Sequence, residues 1–248
     1  MLPQKPKKKK RNVISAKAAL AKLDRMIPIL ETNIVGALKI EATLEAGNDL
    51  VGRMSDTEIP GVGAYNTIKE CLSFDLAMHL ARLFDRGNRH RHANTKDAAS
   101  IPLMIRLLRQ KRCRRALAKN ARNSSPRGDL HFAARFEQDC LNAIDKASKA
   151  YTVTFRGKLG QSGLKRLKVA RDNHFAHSLM RDKKLNLTYG QLFRLTVCAR
   201  DVLENASIAI TGKSLELTDL QEHCREEAEE FWNRALLGKE IDKWAMTD

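Results

Sequence analysis

The sequence predicts an all-α protein, a bundle of helices preceded by a basic arm. Two observations carry this expectation. Apolar residues recur every three or four positions through most of the 248 residues, and clusters of glycine, proline, aspartate and asparagine interrupt them at loop-like intervals. No stretch shows convincing strand alternation, and no internal repeat is present.

The opening "MLPQKPKKKKRN" sets two prolines among lysines with almost nothing to bury, so residues 1–12 are expected to be a disordered arm. The run fits either a nuclear import signal or a flexible grip on phosphates. From Val13 to Leu44, the residues Leu20, Leu23, Ile27, Leu30, Ile34, Leu38 and Leu44 fall on one helix face. "AGNDLVGRMSDTEIPGVG" reads as a loop, and Tyr65–Phe84 as the next helix, closing on the polar break "RLFDRGNRHRHANT". "SIPLMIRLLRQKRCRRALAKNAR" begins with a serine cap and a proline in its first turn, and it stops before "NSSPRGD". Residues 130–150 form a further helix, and "TFRGKLGQSG" reads as a glycine-punctuated connection. A helix over 163–182 follows, then one from near Thr188 to about Ile210, ended by Gly212. The last opens with Thr218 and Gln221 at capping-box spacing and runs to Leu237 before Gly238. The expected organisation is an arm over 1–12, one helical domain over 13–237 and a tail over 238–248.

Composition narrows the partners. A formal charge of +16, from 45 Lys and Arg against 29 Asp and Glu, attracts phosphate polyanions, nucleic acid first and anionic membrane second. Aromatic residues at 5% argue against base stacking as the main device. The five cysteines are widely spaced, and no two form a CxxC pair. They read as small apolar fillers in a reducing cytoplasm, with no zinc or disulfide framework. No signal peptide and no membrane span is legible. The charge is uneven. Arg106 to Arg122 holds eight basic residues and no acid, whereas Glu216 to Asp248 holds ten acids against four Lys or Arg. The first stretch, with Arg106, Arg109, Lys111 and Arg112, reads as a phosphate-contacting surface rather than a merely solvated face.

The densest polar cluster is "KVARDNHFAHSLMRDKK", residues 168–184. On a helix, Asn173 and His177 lie four apart, His174 and His177 three apart, and His177 and Arg181 four apart, so they share a face. Arg171 precedes His177 by six residues, about 120° round the helix and roughly 9 Å along its axis. The two would meet through the arginine's reach or across an interface with a second copy. "RHRH" at 89–92 offers His90 and His92, but without a nearby carboxylate or cysteine it reads as a basic loop. His131 and Cys140 are assigned no role.

"RDNHFAHS" resembles the Arg-x(4–6)-His signature of the HEPN superfamily, with Arg171, Asp172, Ala176 and His177 matching it. "LARLFDR" (80–86), followed by a helix beginning "SIPLMIRLL", resembles the abortive-infection branch of that superfamily, and the likeness spans residues 15–237. The resemblance implies a HEPN-like helical bundle, usually dimeric, that brings two such motifs to one cleft and cuts RNA without a metal or other cofactor. It assigns Arg171 to clamping phosphate and His177 to acid–base catalysis. Asp172 would orient either partner, although facing the phosphate it would oppose anion binding. Asn173 and His174 would contact substrate, His174 lying only three residues from the arginine and outside the motif's spacing. The implied biology is a toxin or phage-defence ribonuclease restrained by a cognate antitoxin, with the acidic C-terminal helix a candidate docking surface. Two alternatives stay open: a non-catalytic nucleic-acid-binding helical protein, and a module whose charge recruits an acidic protein.

Overall fold

The computed structural model describes residues 14–54, 61–85, 98–125, 130–171 and 187–238. The basic arm, His90, His92 and nearly all of the tail lie outside the described residues. Among the described residues there are eight helices and no strand, as the apolar periodicity predicts.

The first helix, α1 (Ala16–Arg53), is about 57 Å long at 1.5 Å per residue and forms the spine of the bundle. Ser15 caps it by accepting the Ala18 N–H. Its buried stripe of Leu23, Leu30, Ile34 and Leu38 meets α2 (Val62–Leu83), α3 (Ile101–Leu108) and α7 (Tyr189–Thr211) in one core. Each fully buried leucine of this kind contributes roughly 1.5–3 kcal/mol. A long α5 (Leu130–Arg156) packs along α7 on one side and along α4 (Lys111–Asn123) on the other. The short α6 (Lys158–Ala170) bridges α5 and α7, and α8 (Leu217–Leu237) lies on α1.

Packing overrides local propensity at several expected boundaries. The first helix continues nine residues past Leu44 through "AGND" because Ala46, Gly47 and Leu50 are buried beneath Trp232 of α8. A side chain at Gly47 would meet the Trp232 indole at 2.8 Å, and the indole N–H donates to the Thr43 carbonyl. The basic stretch is two helices, not one: Gln110 is extended between α3 and α4, which lets α4 turn and lie along α5. "TFRGKLGQSG" is helical except at Gly157. Its glycines serve close approach, since a Cβ at Gly160 would fall 2.2 Å from the Thr154 carbonyl oxygen, and one at Gly163 would press on Gln191.

The capping box expected at Thr218 and Gln221 is not formed. Glu216 stands at the N-cap in the left-handed region, and the Thr218 N–H and hydroxyl both donate to Glu204 of α7. Gln221 instead accepts from Arg200. A carboxylate from a neighbouring helix thus replaces the local cap, a favourable charge for a helix N-terminus. Gly212 and Gly238 end α7 and α8 with positive φ, as expected. Four cysteines are buried, and burial pushes the thiols of Cys113, Cys140 and Cys198 up to about 11, where they are inert. Cys71 departs from the filler role and is exposed. No described helix is long and apolar enough to cross a membrane.

Candidate functional site

Arg171 directly follows the last residue of α6, and its position is set from both ends of that helix. At the start, Gly160 allows contact with the end of α5; at the finish, Leu167 and Ala170 are buried. The polypeptide at the end of α2 arrives opposite. Phe84 is buried there, and the next residue, Asp85, accepts a hydrogen bond from Arg171 Nη1 at 2.6 Å. Asp85 belongs to "LARLFDR" and Arg171 to "RDNHFAHS", so one described residue from each stretch that carries the family resemblance takes part in this ion pair.

The pair stands at a cavity of about 460 Å³ between the ends of α2 and α5 and one face of α6. That volume suits a small ligand or a single nucleotide. Phe84 and Phe155 close its apolar side, edge to face at 5.6 Å, while Lys165, Lys168 and Arg171 supply positive charge. The side chains of Arg171 and Asp85 are 37% and 29% exposed. Ion pairs this open to water contribute only about 0.2–1 kcal/mol to stability, so the consequence of this one is orientation. A carboxylate against the guanidinium fixes the plane of its donors, which is what directed phosphate recognition requires.

Asp172, Asn173, His174 and His177 lie outside the described residues, so of the predicted motif only Arg171 is placed. Its acidic neighbour in the fold, Asp85, was not singled out in the sequence. The signal was present in "RLFDR", but nothing local says that an aspartate 86 positions upstream will reach Arg171.

The predicted phosphate-contacting residues are distributed over two helices. Arg106 and Lys111 are exposed. Arg109 turns back on α5, donating to the Ser148 carbonyl and the Thr152 hydroxyl and covering the Tyr151 ring at 6.0 Å. Arg112 donates to the Gln110 side chain. Further along α4, Arg114 forms a two-pronged pair with Asp145 of α5, and Arg122 pairs with Glu137 at 3.0 Å. Hydrogen bonding from Arg114 holds the Asp145 carboxyl below its ordinary range. The acids absent from the basic stretch itself thus come in part from α5.

One buried and one half-buried titratable group went unnoticed in the sequence. Glu41 is 3% exposed in the core between α1 and α7, and burial raises its carboxyl to about 7 despite a hydrogen bond from Thr196. Its Oε2 has no hydrogen-bond partner. His79 packs on Gly36, and burial lowers its pKa. Among the described residues, no group of three His, Cys, Asp or Glu side chains could hold a metal ion.

An all-helical bundle with an arginine of the expected motif at a cavity rim has the form of a HEPN-type domain. The match to the family model for AbiU2, HEPN_AbiU2, covers residues 20–231, and the chain belongs to that family, in the abortive-infection branch. No curated protein matches the chain, and no solved structure does.

Proposed function

We propose that this protein is a metal-independent endoribonuclease of the toxin or phage-defence type, acting in the cytoplasm as a homodimer. The observation that supports the reading is Arg171, held by Asp85 at the rim of a cavity. The functional unit is the helical domain of residues 13–237.

In this mechanism, Arg171 binds the non-bridging oxygens of the scissile phosphate and stabilises the negative charge that accumulates there. His177 removes the proton from the ribose 2′-OH, whose oxygen attacks phosphorus. The P–O5′ bond breaks, and the imidazolium of a second copy's His177 protonates the departing oxygen. The products are a 2′,3′-cyclic phosphate and a 5′-hydroxyl. The nucleophile belongs to the substrate, so DNA is spared. Asp172 orients Arg171 or His177, while Asn173 and His174 contact the substrate. A cognate antitoxin restrains the enzyme, docking on the acidic face of α8, where Phe231 is exposed beside Glu227 and Glu230.

Incubation of the purified protein with total RNA, followed by end-group analysis, tests the reading. Cyclic-phosphate and 5′-hydroxyl ends that form equally with and without EDTA are expected. Intact RNA that remains bound would favour the non-catalytic binder, which the basic face of α4 would also serve.

A further inference from the structure

On α4, Lys111, Arg115 and Lys119 follow one another at four-residue intervals, so they form one stripe with about 6 Å between successive cations. All three are exposed, and among the described residues none has an ion pair. Their neighbours Arg114 and Arg122 are tied to Asp145 and Glu137 of α5, which neutralises those acids locally. These side chains line a shallow groove of about 390 Å³ between α4 and α5. Like charges at this spacing repel along a helix, so the stripe lacks its counter-charge within the described fold. An external polyanion would supply it.

The groove also has a defined relation to the Arg171 cavity, because α5 lines both. Leu141 and Glu137 border the groove, and Phe155 borders the cavity. Fourteen to eighteen helical residues separate them, roughly 21–27 Å along the α5 axis.

We propose that the α4–α5 groove is a backbone-binding track for single-stranded RNA, holding the strand through Lys111, Arg115 and Lys119 at a distance from the Arg171 cavity. This rests on the reading of RNA as the substrate and extends it: the grip on the strand is separate from the site of cutting. Arg109 and Arg112, engaged with α5 and Gln110, contribute less to the track than Arg115 and Lys119.

The test uses the full wild-type chain and a 20-nucleotide 2′-O-methyl RNA, whose blocked hydroxyl prevents cleavage by 2′-oxygen attack. Binding is measured by fluorescence anisotropy from 50 to 200 mM salt. For single strands the slope of log affinity against log salt is about −0.7 per phosphate contact. Replacing Lys111, Arg115 and Lys119 together by Gln should flatten the slope by about 2, a roughly 15–20-fold smaller loss of affinity across that range. A control with Lys39, Arg53 and Lys213 replaced by Gln removes the same charge outside the groove and should keep the wild-type slope. An unchanged slope in the groove variant, or an equal change in the control, would overturn the proposal. So would a groove variant that loses binding to polyglutamate while its RNA slope stays intact, since that marks a docking face for an acidic protein. Cleavage of unmodified RNA is scored separately. Its absence would remove the ribonuclease reading while leaving the slope comparison to stand or fall by itself.

Discussion

At the end of α6 a single guanidinium faces a carboxylate from the end of α2, whereas among the described residues the α4 stripe of Lys111, Arg115 and Lys119 stands with no carboxylate paired to it. On the proposed function, the difference follows from what each region would do. Phosphate chemistry needs one cation at one place and angle, and an ion pair with Asp85 fixes that geometry at small energetic cost. Holding a flexible strand needs charge at regular intervals and tolerates loose side chains. In the proposed ribonuclease the same residue types would serve positioning in one region and attraction in the other.

The comparison is broken most directly at the motif. Arg171→Ala and His177→Ala should each lower RNA cleavage by about a thousandfold or more, with folding unchanged by circular dichroism. Arg171→Lys should fail to restore activity, because an ammonium lacks the planar fork. Cleavage surviving both alanine variants would remove the site. Asp85→Asn comes next. Loss of the orienting charge should reduce kcat by roughly 10- to 100-fold while KM barely moves, with partial recovery in Asp85→Glu. An increase in kcat would reverse the argument, making Asp85 a competitor of the phosphate. The groove substitutions should leave cleavage of very short RNAs unaltered and weaken only longer strands.

The smallest bearing on activity belongs to Glu41, an acid placed in the core. Its carboxyl titrates near 7 in the fold against an ordinary 4.5, so the folded state holds the proton more tightly. Its stability contribution is whole below about pH 4.5 and falls as pH rises to about 7, a loss on the order of 3 kcal/mol. Glu41→Gln should flatten the decline of Tm between pH 5 and 8 by several degrees. A wild-type decline equal to that of the variant would show that the carboxyl ionises freely.

Helical periodicity made most of the bundle legible, since the α1 stripe from Leu23 to Leu38 repeats the spacing of a buried face and is buried. Gly212 and Gly238 end helices as their conformational freedom suggests. What escaped the sequence depends on contacts between distant residues. "AGND" is helical where α8 and Tyr65 cover it, and Thr218 turns to Glu204 of a neighbouring helix. The motif around Arg171 could be singled out locally, but its partner Asp85 could not, because 86 positions separate the two. The α4 stripe was visible as charge. Which cations are occupied became clear only when α5 supplied Asp145 and Glu137.

Gly160 carries a further consequence. A methyl group there would lie 2.2 Å from the Thr154 carbonyl oxygen, so α6 would be levered away from α5. Arg171, eleven residues and about 16 Å further along, would swing with it. The bearing of the guanidinium thus depends on hydrogen occupying the place of a side chain, far from any reacting atom.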